Sequence, residues 1–293
     1  MEKTPGGPTP RTGYPTAAGG SAASPAAAAV EGVHPADRAR HNDPEAEFRD
    51  TAREGLGGPY SITRDISRPS PEYLERLRKA GAIYPVAFAG PLGLGANLTL
   101  TPKIKPVRPR LNILGPAFTV KAHDHLMPMY AMELAQPGDV LVIDAGGYSS
   151  VSIFGGSMTW SANLRKLGGV VINGMICDSG SLVGPDVKPI HEVPVFCRGA
   201  VGAYTTWDLP GLINVPIFIE GHRIDPGDLI VGAQDGVAVV PRARLEEALI
   251  KAEAFVERVP GWHDPMRIEG KTWFEVLGLS EIIERLRIPE KDI

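Results

Sequence analysis

Cysteine is nearly missing from this chain. Cys177 and Cys197 are its two thiols, too few for a disulfide framework and suited to a reducing compartment. Positive charge is not in excess either. A net charge of −4 gives no electrostatic case for a nucleic-acid partner, which usually meets a basic patch. No apolar run reaches the length of a membrane span. The first residues lack a basic stretch followed by an apolar one, so no secretory leader is expected. Together these absences point to a cytoplasmic protein with neither nucleic acid nor membrane as partner. Internal repeats are lacking too. Large apolar side chains are almost absent from residues 1–31, which are mostly Pro, Gly, Ala, Ser and Thr. Such a segment cannot offset its ordering entropy, and a flexible tail is expected there. Residues 32–67 are polar and charged, with few apolar anchors. They read as an exposed helix near residues 44–54 or as an arm lying on a neighbouring subunit.

What is present begins near Pro71. Ser70-Pro71-Glu72 opens a helix with proline at its first position, and Tyr73, Leu74 and Leu77 share its apolar face. Residues 80–100 have no clear period. Residues 104–107 and 115–120 read as short strands, and residues 127–134 as a short helix. Further strands are expected at 193–197 and 216–220. Residues 224–241 hold two Gly-containing turns between Val/Ile runs, the pattern of a β-meander. The run LEEALIKAEAFVERV over residues 245–259 is an amphipathic helix. Residues 260–293 carry Trp262, Trp273 and Phe274. So much aromatic surface predicts an extension that packs on the body or on a neighbouring subunit.

The stretch between Asp144 and Asp178 carries the chemistry. Apolar runs at 140–143 and 170–176 flank a helix-length segment at 157–167, closed by Gly168-Gly169. Strand, helix and strand at this spacing make a right-handed βαβ unit with parallel strands. That geometry sets Gly155-Gly156-Ser157 beside Cys177-Asp178 at the carboxyl ends of neighbouring strands, where open α/β sheets bind ligands. Backbone N–H groups at a helix start suit an anion. A carboxylate beside them suits a hard cation. An anion seat next to a metal seat fits a metal-chelated carboxylic acid, although Gly-Gly before a helix also serves as a plain turn and Asp as a cap.

The succession GPAFTV, PGDVLVID, FGGSMTWSA, LGGVVINGMICD, VPVFCRG and IDPGDLIVGAQDGVAVVP resembles the RraA-like family. That family includes metal-dependent 4-hydroxy-4-methyl-2-oxoglutarate and 4-carboxy-4-hydroxy-2-oxoadipate aldolases, some with oxaloacetate decarboxylase activity. It also includes a non-enzymatic regulator of a ribonuclease. The resemblance implies one domain over residues 68–259: an α/β fold, a swivelling β/β/α sandwich with the parallel βαβ unit and the meander. It implies a homotrimer or homohexamer with sites at subunit interfaces.

Carried onto this chain, the resemblance implies that main-chain amides at Gly155, Gly156, Ser157 and Met158 hold a substrate carboxylate. It implies that Asp178 binds Mg²⁺ (or Mn²⁺), and that a metal-stabilised enolate forms as a 2-oxo acid loses its C3–C4 bond or a carboxylate. The family's arginine before that Asp is Cys177 here, and a thiol replaces neither its charge nor its fork. Asn173 and Gln234 stand where members are commonly more acidic. Three readings of the altered pair remain open. Cys177 fills space in a non-catalytic regulator or scaffold; another cation among His123, His125, Arg198 and His222 does the arginine's work on a changed substrate; or Cys177 is itself a nucleophile or soft ligand. If 119–125 is extended, His123 and His125 share a face, and a substrate contact suits them better than a metal. Trp160 and Trp207 read as packing residues, though either could wall a pocket.

Overall fold

The computed structural model describes residues 61–81, 84–90, 93–180 and 193–287. The expected tail and the expected helix near 44–54 lie outside the described residues. The first helix starts as its spacing predicts. In α1 (Pro71–Ala80) the Ser70 hydroxyl accepts the Tyr73 N–H, proline opens the first turn, and Gly81 closes the end at φ 74°.

The sheet strands follow in chain order. They begin with β1 (Lys105–Pro106) and β2 (Ile113–Lys121), then α2 (Leu126–Leu134) and β3 (Val140–Asp144). Next come β4 (Ser152–Phe154), α3 (Gly156–Leu164), β5 (Gly169–Asn173) and β6 (Met175–Ile176). After them lie β7 (Val195–Cys197), β8 (Gly199–Ala200), β9 (Leu212–Ile213), β10 (Ile217–Ile219) and β11 (His222–Ile224). The last strands are β12 (Leu229–Ala233) and β13 (Gly236–Val240).

The main sheet has the order β1-β7-β5-β3-β2-β12-β13, with β9 also on β2. Strands β2, β3, β5 and β7 run parallel. A strand buried on both faces must be apolar at every position, and β3 is: Leu141 and Ile143 face one core with Phe118 and Ile172, while Val140 and Val142 face another with Val171 and Phe196. Helices α2 and α3 cover the first core through Ala131, Met132, Met158 and Ala162. The βαβ unit expected around Asp144 is thus in place, with β3 and β5 in register from Val140↔Gly169 to Asp144↔Asn173.

Three elements differ from the sequence reading. The apolar run at 170–176 is not one strand. It breaks at Gly174, where an added methyl group would stand 2.9 Å from the Ala145 side chain. Beyond the break β6 joins β4 and β8 in a second, three-stranded sheet. The turn at 225–228 does not join sheet neighbours, because β11 pairs with β10 and β12 pairs with β2 and β13. The last long helix, α4 (Leu245–Glu269), does not stop at Val259. It continues through Pro260 and Pro265 to an αL glycine, Gly270. Helices α5 (Trp273–Val276) and α6 (Ser280–Leu286) follow. Trp262 meets Phe255 and Trp273 edge to face, both with ring centroids 5.7 Å apart. No helix among the described residues is long and apolar enough to cross a membrane.

Residues 61–68 run along the body. Ile213 donates to Ser61 O and accepts from the Thr63 N–H. Arg68 grips Asp139 through two bonds of 2.7 and 2.8 Å, and the Asp139 side chain is only 1% exposed. Removing one partner of a buried pair strands the other charge, at a cost of about 3 kcal/mol. Arg68→Ala should therefore lower the unfolding free energy by about 3 kcal/mol in a urea titration. A loss under about 0.5 kcal/mol would place this pair with ordinary surface salt bridges.

Candidate functional site

The second sheet positions the site. Strands β4 and β6 run parallel, Ser152 opposite Met175 and Phe154 opposite Ile176. Cys177 N–H donates to Phe154 O at 2.9 Å, so Cys177 and Asp178 leave β6 where Gly155 leaves β4. The juxtaposition expected at the ends of β3 and β5 occurs instead at the ends of this smaller sheet. It depends on the missing side chain of Gly155. A methyl group there would sit 2.7 Å from Cys177 Sγ and 3.4 Å from Asp178 Oδ2.

Gly155 is the N-cap of α3 and supplies no side-chain cap. The first intrahelical bond runs from Thr159 N–H to Gly155 O at 2.9 Å. The amides of Gly156, Ser157 and Met158 precede it and have no intrahelical acceptor. Thr159 and Ser161 return their hydroxyls to the carbonyls of Gly155 and Ser157, so they stiffen the turn rather than block its amides. Asp178 is exposed and adopts φ 55°. Asp and Asn tolerate that left-handed conformation better than most residues. The Cys177 sulfur lies 3.8 Å from Asp178 Oδ2 and 3.7 Å from Phe154 O.

These residues line one cleft of about 390 Å³. Gly155, Gly156, Ser157 and Met158 form one side, with Cys177 and Asp178 beside them. His125 lines it as well, with Met129 one helical turn on and a loop bearing Gly202, Tyr204 and Trp207 beside it. Of the sequence candidates, His123 and Arg198 are not part of this lining. β2 ends at Lys121, so 119–125 is not extended throughout. His123 is exposed, Asp124 turns fully inward, and His125 precedes α2, so the two histidines do not share a strand face. Arg198 is engaged elsewhere: its Nη1 donates to Asn173 Oδ1 and to Glu220 Oε1, each at 2.8 Å. The Thr101 hydroxyl, then Lys103 and Arg198, hold the Glu220 carboxyl down at about 2. That carboxylate keeps its charge, and its grip on Arg198, until the pH falls through about 2. Asn173 also donates to Asp144 at 3.0 Å, bridging carboxylate and guanidinium at the end of β5. Burial pushes the Cys197 thiol up to about 11. Cys177 is the cysteine that reaches the cleft.

Apart from Trp207, sequence reasoning missed the loop. Asp124, 0% exposed, accepts three backbone N–H groups: Leu126 at 2.9 Å, Asp208 at 2.6 Å and Leu209 at 2.7 Å. His125 Nδ1 lies 2.9 Å from Thr205 Oγ1, and Ser152 N–H donates to Ala203 O. The loop is therefore pinned at both ends, with Tyr204 67% and Trp207 63% exposed. Trp207 walls the cleft. Trp160 is not part of its lining.

The family model described as RraA-like, Aldolase/RraA, matches residues 90–239, which span the main sheet and the cleft. The chain belongs to the RraA-like family. A relative from Halalkalibacterium halodurans, provisionally named a 4-hydroxy-4-methyl-2-oxoglutarate aldolase, is 40% identical over 159 residues, 54% of this chain and 72% of its own. One from Burkholderia mallei with the same provisional name is 32% identical over 160 residues, 53% of this chain and 91% of its own. An uncharacterized protein from Pseudomonas syringae pv. tomato superposes with a TM-score of 0.59 at 23% identity, covering 72% of this chain and 98% of that one. Streptomyces coelicolor RraAS2 superposes at 0.55 and 24%, covering 69% and 100%. At those identities the two structures show a shared RraA fold. The cleft residues from Gly155 to Asp178, like Tyr204 and Trp207, fall within the matched RraA-like region.

Proposed function

We propose that this RraA-like protein is a divalent-metal-dependent carbon–carbon lyase acting on a 2-oxo acid, by aldol cleavage or decarboxylation. The observation that carries this reading is the seating of the α3 amides and the Asp178 carboxylate in one cleft. The names of the two relatives support an aldolase. Among the described residues no cluster of three or more His, Cys, Asp or Glu stands ready to enclose an ion. A single exposed carboxylate fits Mg²⁺, or Mn²⁺, which keeps several waters and takes other oxygens from the substrate. Bound at Asp178, such an ion would supply Lewis acidity to the 2-oxo and carboxylate oxygens.

The chain's own residues then have distinct tasks. The amides of Gly156, Ser157 and Met158 hold the carboxylate end from the backbone, so orientation costs no side-chain entropy. Gly155 lets the two strand ends approach closely enough for one small acid to meet both seats. His125, with Nδ1 committed to Thr205, offers Nε2 as the nitrogen that exchanges a proton with the bound acid. Cys177 occupies the position where the resemblance places an arginine, and the S–H can point toward Asp178. A thiol gives a developing oxyanion far less than a guanidinium does.

The test is a screen of oxaloacetate and hydroxy-oxo diacids with metal-stripped protein, before and after adding Mg²⁺ or Mn²⁺. Turnover that requires the metal is expected, slow on the diacids. No metal-dependent turnover of any 2-oxo acid would favour a non-catalytic regulator. Restoring the cation with Cys177→Arg should raise diacid turnover by about 10²-fold, the usual worth of one oxyanion donor. An unchanged rate would mean that another group already supplies that charge.

A further inference from the structure

Besides the amide seat and Asp178, the same cleft is lined by two rings and a thioether. Tyr204 and Trp207 stand on the loop pinned by Asp124, and Met129 lines the same space. Two large exposed rings on the lining of one cleft, Tyr204 and Trp207, mark a binding surface rather than ordinary surface scatter. The pinning matters to this reading. Two loop N–H groups, of Asp208 and Leu209, bonded to a buried carboxylate and the contact between Thr205 and His125 fix the backbone that carries both rings before a ligand arrives. Preorganised aromatic surface gains more from contact than surface that must be ordered first. The Tyr204 ring meets His125 edge on, 6.4 Å between centroids at 75°. The aromatic wall therefore adjoins the imidazole assigned to proton transfer.

From this we infer that the substrate is a 2-oxo acid carrying an aromatic ring, or a comparably flat apolar group, at the end remote from its carboxylate. The inference rests on the 2-oxo-acid reading above and names its substrate class. One end of such a molecule matches the amides and Asp178. The other matches ring faces and polarisable sulfur, with which aromatic groups pack well. A second carboxylate at that end would lose hydration against apolar surface. Trp207 and Tyr204 are thus specificity-determining residues.

The experiment is calorimetric titration of the full-length protein, with Mg²⁺ present, using phenylpyruvate and pyruvate as probes. Wild type should bind phenylpyruvate about tenfold more tightly than pyruvate, or better, in line with the worth of an added apolar group in a pocket. Trp207→Ala should remove most of that preference while leaving pyruvate affinity within about twofold, because pyruvate does not reach the wall. Trp207→Phe should keep most of it. Equal affinity for the two acids in wild type would overturn the inference and leave the 2-oxo-acid reading standing. Binding of neither acid would overturn both. A Trp207→Ala protein that keeps the preference but changes its oligomeric mass would overturn the inference in favour of a subunit contact.

Discussion

Asp178→Asn should abolish metal-dependent turnover, by at least about 10²–10³-fold, while the thermal midpoint stays where it was. The choice of asparagine follows from the backbone. At φ 55° a non-glycine residue is strained, and Asp and Asn bear that conformation best. Alanine would add a conformational cost and blur the comparison. Asparagine keeps the shape and one acceptor oxygen but removes the charge that a hard cation needs. Circular dichroism and a melting curve check the fold, and a Mg²⁺ titration of turnover checks the site. A variant with near wild-type turnover would remove Asp178 from the reaction.

Gly155→Ala should be nearly as damaging, for a geometric reason. Its methyl carbon would stand 2.7 Å from Cys177 Sγ, closer than such atoms approach, so one of the two strand ends must move. A shift of about 1 Å in a reacting group can cost about 10² in rate. Overpacking of this kind also costs about 1–3 kcal/mol of stability. The double variant Gly155→Ala with Cys177→Ala removes the sulfur and leaves the Asp178 oxygen at 3.4 Å, close to ordinary contact. It should recover most of the lost stability. A single Gly155→Ala variant with wild-type melting and turnover would show that the strand ends are not tightly apposed.

Much of this was legible because burial on two faces leaves a plain mark. The runs at 140–143 and 236–240 could hardly be anything but sheet interior, and both are buried strands. The cap at Ser70 and the glycine at 81 mark α1 by local chemistry alone. The pairing of Gly155 with Asp178 was legible from the strand-helix-strand spacing, although the strands that hold it are β4 and β6. What was hidden depends on distant contacts. The 170–176 run breaks at Gly174, where Ala145 lies against the backbone, and nothing local announces that. Alternation carried His123 and His125 onto one face only while the strand continued, and burial of Asp124 under the 203–209 loop ends it. Pro260 reads as a helix stop. Pro260 is exposed, and the helix runs on through it to the cap at Gly270. Tyr204 and Trp207 sit in a loop without period, so pattern could not place them.

The central claim is that a divalent ion at Asp178 and a 2-oxo acid on the α3 amides occupy one cleft together. Mn²⁺ tests this directly, because its unpaired electrons broaden the proton resonances of any molecule held a few ångströms away. The measurement is the line width of the pyruvate methyl signal with Mn²⁺ and the full-length protein, against the same mixture containing Asp178→Asn. Expected is strong broadening with wild type, well beyond that from free Mn²⁺, and loss of the excess with Asp178→Asn. Equal broadening with both proteins, or none beyond free Mn²⁺ with wild type, would contradict a shared metal and acid site in this cleft.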